Sequence, residues 1–273
     1  MHEKRGQKVT EKKTILITGS SHGIGAACAE AFARDGYDVG INYCKSPEGA
    51  EETAEKCRAF GADAQIYRAD VSKREDCEAM LNAFLEHYGK IDVLVNNAGG
   101  ALKMPKGGFV DMPMDYWDSQ IDLNLNAAAY CSQIAARNMI EKGIHGAIIN
   151  ISSVHSFVTW VKRKPLPYSA GKAGLNMFTK SIGVELIKYG INVNCIAPGL
   201  IYTKIMSRYS DRDIEGFNRK IPAGHGGQPE DIVHMIQFLA DKEKSRFIVG
   251  QTIVIDGGQS IDGAIDCMLE DEY

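Results

Sequence analysis

Six residues that read as a buried strand, Lys13-Thr14-Ile15-Leu16-Ile17-Thr18, run directly into Gly19-Ser20-Ser21-His22-Gly23-Ile24-Gly25 and then into an alanine-rich helical stretch, Ala26 to Arg34. A strand, a glycine turn and a helix in that order leave few folds open. Glycines at 19, 23 and 25 permit a tight turn and the close approach of a pyrophosphate, whose charge the free N–H groups and positive dipole end of the helix stabilise. The spacing is GxxxGxG, not the better-known GxGxxG, and a plain glycine-rich turn between strand and helix would read the same way.

The unit repeats. The helix stops at Asp35-Gly36, and Asp38 to Tyr43 reads as a second strand. Pro47 to Phe60 follows as a helix, Ala64 to Ala69 as a strand, Lys73 to Tyr88 as a helix and Ile91 to Val95 as a strand. Asp115 to Lys142 reads as a long helix with Trp117, Ile121, Leu125, Ala128 and Ser132 at helical spacing. Gly146 to Ile151 is a fifth strand, the helix around Tyr168 runs to Gly190, Ile191 to Ala197 is a sixth strand, Pro229 to Ala240 a helix, and Gln251 to Ile255 the last strand. Alternating strands and helices predict an α/β fold, a Rossmann-type doubly wound parallel sheet of about seven strands. At 273 residues, with no linker and no internal repeat, the chain is expected to be a single domain carrying a polar N-terminal extension, 1–12, and an acidic C-terminal tail, 259–273.

Charge narrows the partners. Lys and Arg total 31 against 35 acidic residues, a net charge of -4, which supplies no basic field for a nucleic-acid backbone. No stretch approaches the length of an apolar membrane span, and Met1 to Lys13 lacks an apolar core, so a cytoplasmic protein without membrane attachment is expected. Seven cysteines are scattered singly with no CxxC and no clustered ligands, which predicts reduced, mostly buried thiols and no metal site.

Tyr168-Ser169-Ala170-Gly171-Lys172 places a phenol and an ammonium four residues apart at a helix start, on one face. A cation beside a phenol favours the phenolate, so Tyr168 would exchange protons with a substrate hydroxyl or carbonyl. Alone, the pattern equally fits a helical Tyr and Lys with no chemistry.

Its company decides. Thr18-Gly19-xxx-Gly23-x-Gly25, Asn96-Asn97-Ala98-Gly99, Tyr168-xxx-Lys172 and Pro198-Gly199 together resemble the short-chain dehydrogenase/reductase family in order and spacing, over about residues 12 to 258. The resemblance implies an NAD(P)-dependent oxidoreductase acting on a secondary alcohol or ketone. It implies a catalytic set of Asn124, Ser153, Tyr168 and Lys172. Ser153 would orient the substrate oxygen, Lys172 would bind the nicotinamide ribose, and the Asn124 backbone would hold a relay water, with Asn126 uninvolved. It also places the cofactor against Gly19, Ser21, His22, Gly23, Ile24, Gly25, Tyr43, Asp70, Val71, Asn97, Ala98, Gly99, Pro198, Ile201 and Thr203, as well as Tyr168 and Lys172. Tyr43 stands where NAD-specific members carry Asp and Lys45 follows, which favours NADP(H) over NAD(H). His22, where many NADP-preferring members carry Arg, argues the other way. Asp70 also reads as a cap for the following helix, and Ser152 as a residue serving its own turn.

A homotetramer or homodimer is implied, through the helices containing Asn124 and Tyr168. Fifteen residues separate Ser153 from Tyr168, about two more than the family pattern, and Lys162-Arg163-Lys164 in that expansion reads either as solvated surface or as a reason for an acidic substrate. Lys204 to His225 lacks a strong period and reads as a lid. The motifs leave the substrate open between a sugar or polyol, a hydroxysteroid and a 3-oxoacyl group, although Val184 replaces the Arg that carrier-linked reductases present. A catalytically idle dinucleotide-binding sensor is the rival from another class.

Overall fold

A computed structural model describes residues 12–102, 108–159 and 165–261. Residues 1–11 of the N-terminal extension, the Lys162-Arg163-Lys164 run, Cys267 and residues 262–273 of the acidic tail lie outside them. In chain order the elements are β1 (Thr14–Ile17), α1 (Gly23–Arg34), β2 (Asp38–Tyr43), α2 (Pro47–Ala59), β3 (Ala64–Arg68), α3 (Arg74–Tyr88) and β4 (Val93–Asn96). Next come α4 (Met114–Ile121), α5 (Ala127–Lys142), β5 (Ala147–Ile151), α6 (Leu166–Leu186), β6 (Asn192–Pro198), α7 (Asp211–Asn218), α8 (Pro229–Ala240), α9 (Lys242–Ser245) and β7 (Thr252–Ile255).

The seven strands form one sheet in the order β3-β2-β1-β4-β5-β6-β7, every pairing parallel. Residues alternate faces along each strand. Ile15, Ile17, Val93, Val95, Ile149 and Ile196 pack against Cys28 and Phe32 of α1, Ala54 of α2 and Ile232 and Ile236 of α8. Leu16, Leu94, Ile148 and Val193 face Leu81 and Phe84 of α3 and Cys131, Ala135 and Met139 of α5. Both faces are covered, which is why β1, β4 and β5 carry consecutive apolar residues (Ile15-Leu16-Ile17, Val93-Leu94-Val95, Ala147-Ile148-Ile149) instead of alternating ones.

Two stretches differ from the sequence expectation. The long helix is not one α-helix: a π-helical turn at Asp122–Asn126 joins α4 to α5. A π-turn adds one residue to the helical repeat and rotates the side chains beyond it, and Asn124, at 2 % exposure, is thereby buried in an otherwise amphipathic segment. Within Lys204–His225, where no strong period was visible, a 3-10 turn at Lys204–Arg208 leads into α7, whose start is fixed by Ser210 accepting from the Asp213 N–H while Asp213 accepts from the Ser210 N–H. A local capping box fixes where that helix begins, and Phe217 on it packs edge-on against Tyr209.

On β2, a Cβ added to Gly40 would lie 2.6 Å from Phe84 Cδ2 and 2.8 Å from Leu16 Cδ1. Gly40→Ala is therefore expected to destabilise by about 1–3 kcal/mol through overpacking. Gly216→Ala in α7, where an added Cβ meets nothing within 4 Å, should hold or gain about 0.5–1 kcal/mol. Urea unfolding midpoints check the pair; equal midpoints would contradict the packing of β2 on α3.

Candidate active site

Strand order reverses between β1 and β4, and the turn after β1 meets the turn after β4 at that crevice. A Cβ on Gly19, whose φ is +63°, would lie 2.9 Å from the Ala98 Cα, and one on Gly25 would lie 2.5 Å from the Gly19 carbonyl oxygen. Neither position admits a side chain. Asn97 ties the turns together, donating from Nδ2 to the carbonyls of Thr18 at 2.9 Å and Gly19 at 3.0 Å. The Thr18 hydroxyl accepts from the N–H groups of Asn97 and Ala98, each at 3.0 Å, and Asn42 Oδ1 accepts the Gly19 N–H at 2.9 Å. At the N-terminus of α1 no side chain caps the first N–H groups and no acid stands in the first turn. Those donors are left for an anion.

An open cleft of about 540 Å³ runs along the carboxyl ends of the strands. Of the expected cofactor positions, Gly19, Ser21, His22, Gly23, Ile24, Tyr43, Asn97, Ala98, Gly99, Pro198, Ile201 and Thr203 line it, beside Ser153, Tyr168 and Lys172. Gly25 lies behind the turn, its missing side chain letting α1 approach. Asp70 and Val71 do not line the cleft. Asp70 Oδ1 accepts from the N–H of Ser72 at 3.2 Å and its hydroxyl at 2.7 Å, ordering the turn into α3, and Val71 is buried beside Asn124. Among the described residues lining the cleft there is no Asp or Glu, and Lys45 and Lys172 are its lysines.

Pro165 and Pro167 set the start of α6, so Tyr168 falls in its first turn and Lys172 one turn on. The Tyr168 phenol and the Ser153 hydroxyl line the cleft together, and the Lys172 Nζ lies 5.9 Å from the Tyr168 ring centroid. Sequence reasoning expected the ammonium to hold the phenol down. In the protein without ligand the balance is different: burial pushes Tyr168 above its ordinary value, and Ser153 is the group that pulls it back. Lys172 is 3 % exposed, and burial lowers it to about 8. Its Nζ donates to the Ile151 carbonyl at 2.7 Å.

The remaining members hold this pair in place. Asn124 Oδ1 accepts from the Gly100 N–H at 2.9 Å, and Nδ2 donates to the carbonyls of Gly100 at 3.2 Å and Gln120 at 2.9 Å. A Cβ on Gly99 would lie 2.9 Å from both Asn124 Oδ1 and Lys172 Nζ, so the β4 turn fits between them only as glycine. Asn126, by contrast, bonds to Asp122 at 2.7 Å on the outer side. Ser152 does not serve its own turn: its hydroxyl donates to the Lys172 carbonyl at 3.1 Å, pinning α6 to β5.

Sequence reasoning passed over two features. His155, in the 3-10 turn that Ser153 caps, lines the cleft with its ring edge-on to Tyr168 at 6.0 Å. A buried polar layer crosses the sheet from Ser132 through Asn96 and Asn150 to Thr179. The signal was available: Asn150 interrupts the apolar run Ile148-Ile149-Asn150-Ile151, and a buried amide in a central strand needs a partner.

The chain is similar in sequence and overall fold to known dehydrogenases and reductases. A family model described as enoyl-(acyl carrier protein) reductase matches residues 19–260. Glucose 1-dehydrogenase 2 of Bacillus subtilis (strain 168) is 36% identical over 252 residues, 91% of this chain and 95% of that protein. A 3-oxoacyl-[acyl-carrier-protein] reductase of Staphylococcus aureus (strain N315) is 38% identical over 246 residues, 90% of this chain and 97% of that one. The crystal structure of acetoin dehydrogenase YohF from Salmonella typhimurium superposes with a TM-score of 0.84 at 37% identity, covering 93% of this chain and 98% of that chain.

The buried ammonium makes a prediction about stability. A lysine titrating at about 8 in the fold and 10.5 when unfolded leaves the unfolded chain holding more protons between those values, so its burial penalty is full below about pH 8 and fades as pH rises toward 10.5. Lys172→Met removes a penalty of up to about 3 kcal/mol. Its unfolding midpoint at neutral pH is expected to equal or exceed that of the unmodified protein, with the difference narrowing at alkaline pH. A midpoint several degrees lower at pH 7 would contradict the assignment.

Proposed function

The chain belongs to the short-chain dehydrogenase/reductase family, and from that membership we propose that one domain both holds a nicotinamide dinucleotide and moves a hydride between it and a secondary alcohol or ketone, with Tyr168 exchanging the proton on the substrate oxygen. The observation that carries this reading is the half-buried Tyr168 phenol beside Ser153 and Lys172, in a cleft that no Asp or Glu lines among the described residues and that also receives an uncapped helix N-terminus. Bound nicotinamide supplies the hydride chemistry. The glycine turn and the first N–H groups of α1 fit a pyrophosphate, Lys172 and Asn97 stand toward the ribose, and Pro198, Ile201 and Thr203 wall the carboxamide end.

Ser153 holds the substrate oxygen against the phenol, and the phenol, raised by burial, is protonated for ketone reduction at neutral pH. Lys172 favours the phenolate needed in the reverse direction. A small cavity of about 10 Å³ between Asn124 and Lys172 supports the water of a proton relay. Preference for NADP(H) rests on the end of β2, where Tyr43, Cys44, Lys45 and Ser46 line the cleft and no carboxylate meets a 2′-phosphate. Among substrates, an acyl group on a carrier protein fits least: Val184, 75 % exposed on α6, leaves an acidic carrier without the cation it requires. Met177 and Val184 of α6, Ile187 just beyond its end and Ile140 of α5 expose apolar surface that suits pairing with a second copy, as a dimer or tetramer in the cytoplasm.

The test is nicotinamide absorbance followed with a panel of sugars, acetoin, 3β-hydroxysteroids and 3-oxoacyl thioesters against both cofactors. Tyr168→Phe should lose at least about 10²-fold in kcat with cofactor affinity nearly intact. Retained turnover in that variant on every active substrate would remove Tyr168 from the proton step.

NADPH should bind more tightly than NADH, and Tyr43→Asp should reverse the order. Equal or tighter NADH binding by the unmodified protein, read by fluorescence titration, would overturn the cofactor assignment.

A further inference from the structure

Helix α6 carries a third polar side chain in the series that begins with Tyr168 and Lys172. Residues four apart on a helix share a face, and the next position is Asn176, buried one turn beyond Lys172. A buried amide needs partners at both ends. Asn176 Oδ1 accepts from the Cys195 thiol on β6 at 3.6 Å, and burial raises that thiol to about 11, so it keeps its hydrogen at neutral pH. Asn176 Nδ2 donates to Ser156 Oγ at 2.9 Å. The Ser156 hydroxyl gives its own hydrogen to the Ser153 carbonyl at 2.5 Å, and the Ser156 N–H donates to the same carbonyl at 2.9 Å. Ser153 Oγ in turn accepts the His155 N–H at 3.2 Å.

These bonds matter because of where β5 ends. Up to Ser152 the chain is tied to α6 residue by residue: Asn150 donates to Thr179, Lys172 donates to the Ile151 carbonyl, and Ser152 donates to the Lys172 carbonyl. Beyond it the chain leaves the sheet for the 3-10 turn Val154–Ser156, whose backbone bonds are local, from Ser156 to Ser153 and from Phe157 and Val158 to Val154. The Asn176 amide ties that turn to the helix bearing Tyr168. We propose that Asn176, acting through Ser156, is a positioning residue that sets the Ser153 hydroxyl against the Tyr168 phenol. Neither Asn176 nor Ser156 lines the cleft, so the link acts on the site only through the turn. The proposal rests on the reading of Ser153 and Tyr168 as the groups that meet the substrate oxygen, and adds the side chain that keeps them in register.

Asn176→Ala and Ser156→Ala break the link from opposite ends, whereas Ser156→Thr keeps the hydroxyl. The titratable groups beside Tyr168 are Lys172 on its own helix, with Nζ 5.9 Å from the ring centroid, and His155 on the turn, with its ring 6.0 Å away, and both are left in place. Because Ser153 draws the phenol down, ¹³C-tyrosine NMR titrations of the full chain should show the Tyr168 midpoint raised in both alanine variants, toward its value in Ser153→Ala, and held in Ser156→Thr. On an active ketone, kcat counted per cofactor-binding site should fall at least about tenfold in each alanine variant, and no further in the double variant, because the two ends make one link. A merely structural loss lowers the number of binding sites and leaves turnover at each site unchanged. If Asn176→Ala does not fold, Ser156→Ala, at a half-buried position, decides. Tyr168 midpoints unmoved in the alanine variants, or turnover per site unaltered, overturn the proposal. The titration needs no turnover, so absence of dehydrogenase activity in the unmodified protein counts against the proposed function and not against this link.

Discussion

An ammonium group buried without an acidic partner among the described residues is the constraint on which the rest of this structure depends. Isolated charge inside a fold is tolerated only where dipoles and hydrogen bonds replace water. At the Lys172 ammonium the replacement is the Ile151 carbonyl at the end of β5, and separate elements fix the surroundings: Ser152 anchors the Lys172 backbone carbonyl, the Asn124 side chain on the π-turn holds Gly100, and the glycine at 99 leaves room between Asn124 and Lys172. Parallel order makes this convergence available. Strands β1, β4, β5 and β6 lie side by side with all carboxyl ends at one edge, so residues from four distant segments meet without any segment leaving its element.

Much of this was legible because it is local. The glycine turn after β1 is written as three glycines at fixed spacing, and each is explained by a contact that no side chain would survive or by a helix N-terminus left uncapped. Strand and helix limits followed apolar runs and their stops, with Pro229–Ala240 recovered to the residue. Tyr168, Lys172, Ser153 and the cofactor turns were legible through family resemblance, and the fold gathers most of them on one cleft.

What escaped is non-local or depends on backbone register. A π-turn has no residue signature, so Asp122-Leu123-Asn124-Leu125-Asn126 read as ordinary helix, and only the extra residue explains why Asn124 turns inward while Asn126 stays with Asp122. The direction of the Tyr168 shift escaped for another reason. Spacing along a helix says that a phenol and an ammonium share a face, but not that burial outweighs their attraction or that the ammonium is committed to a carbonyl on β5. Asp70 was placed at the right strand end with two roles, of which the structure shows the local one: its Oδ1 accepts from Ser72 in the turn into α3.

The acid-free cleft has a consequence for encounter kinetics. The chain carries a net charge of -4, whereas the described residues lining the cleft include Lys45 and Lys172, no carboxylate and a helix N-terminus, so a phosphorylated ligand is drawn toward that opening in preference to the chain at large. Charge segregated in this way acts as a filter on trajectories: it discards glancing collisions and enriches those aimed along the strand ends. Ionic strength then governs how often capture occurs more than how long the captured dinucleotide stays, because the steering field is long-ranged and screened whereas the contacts that retain the ligand are short and enclosed.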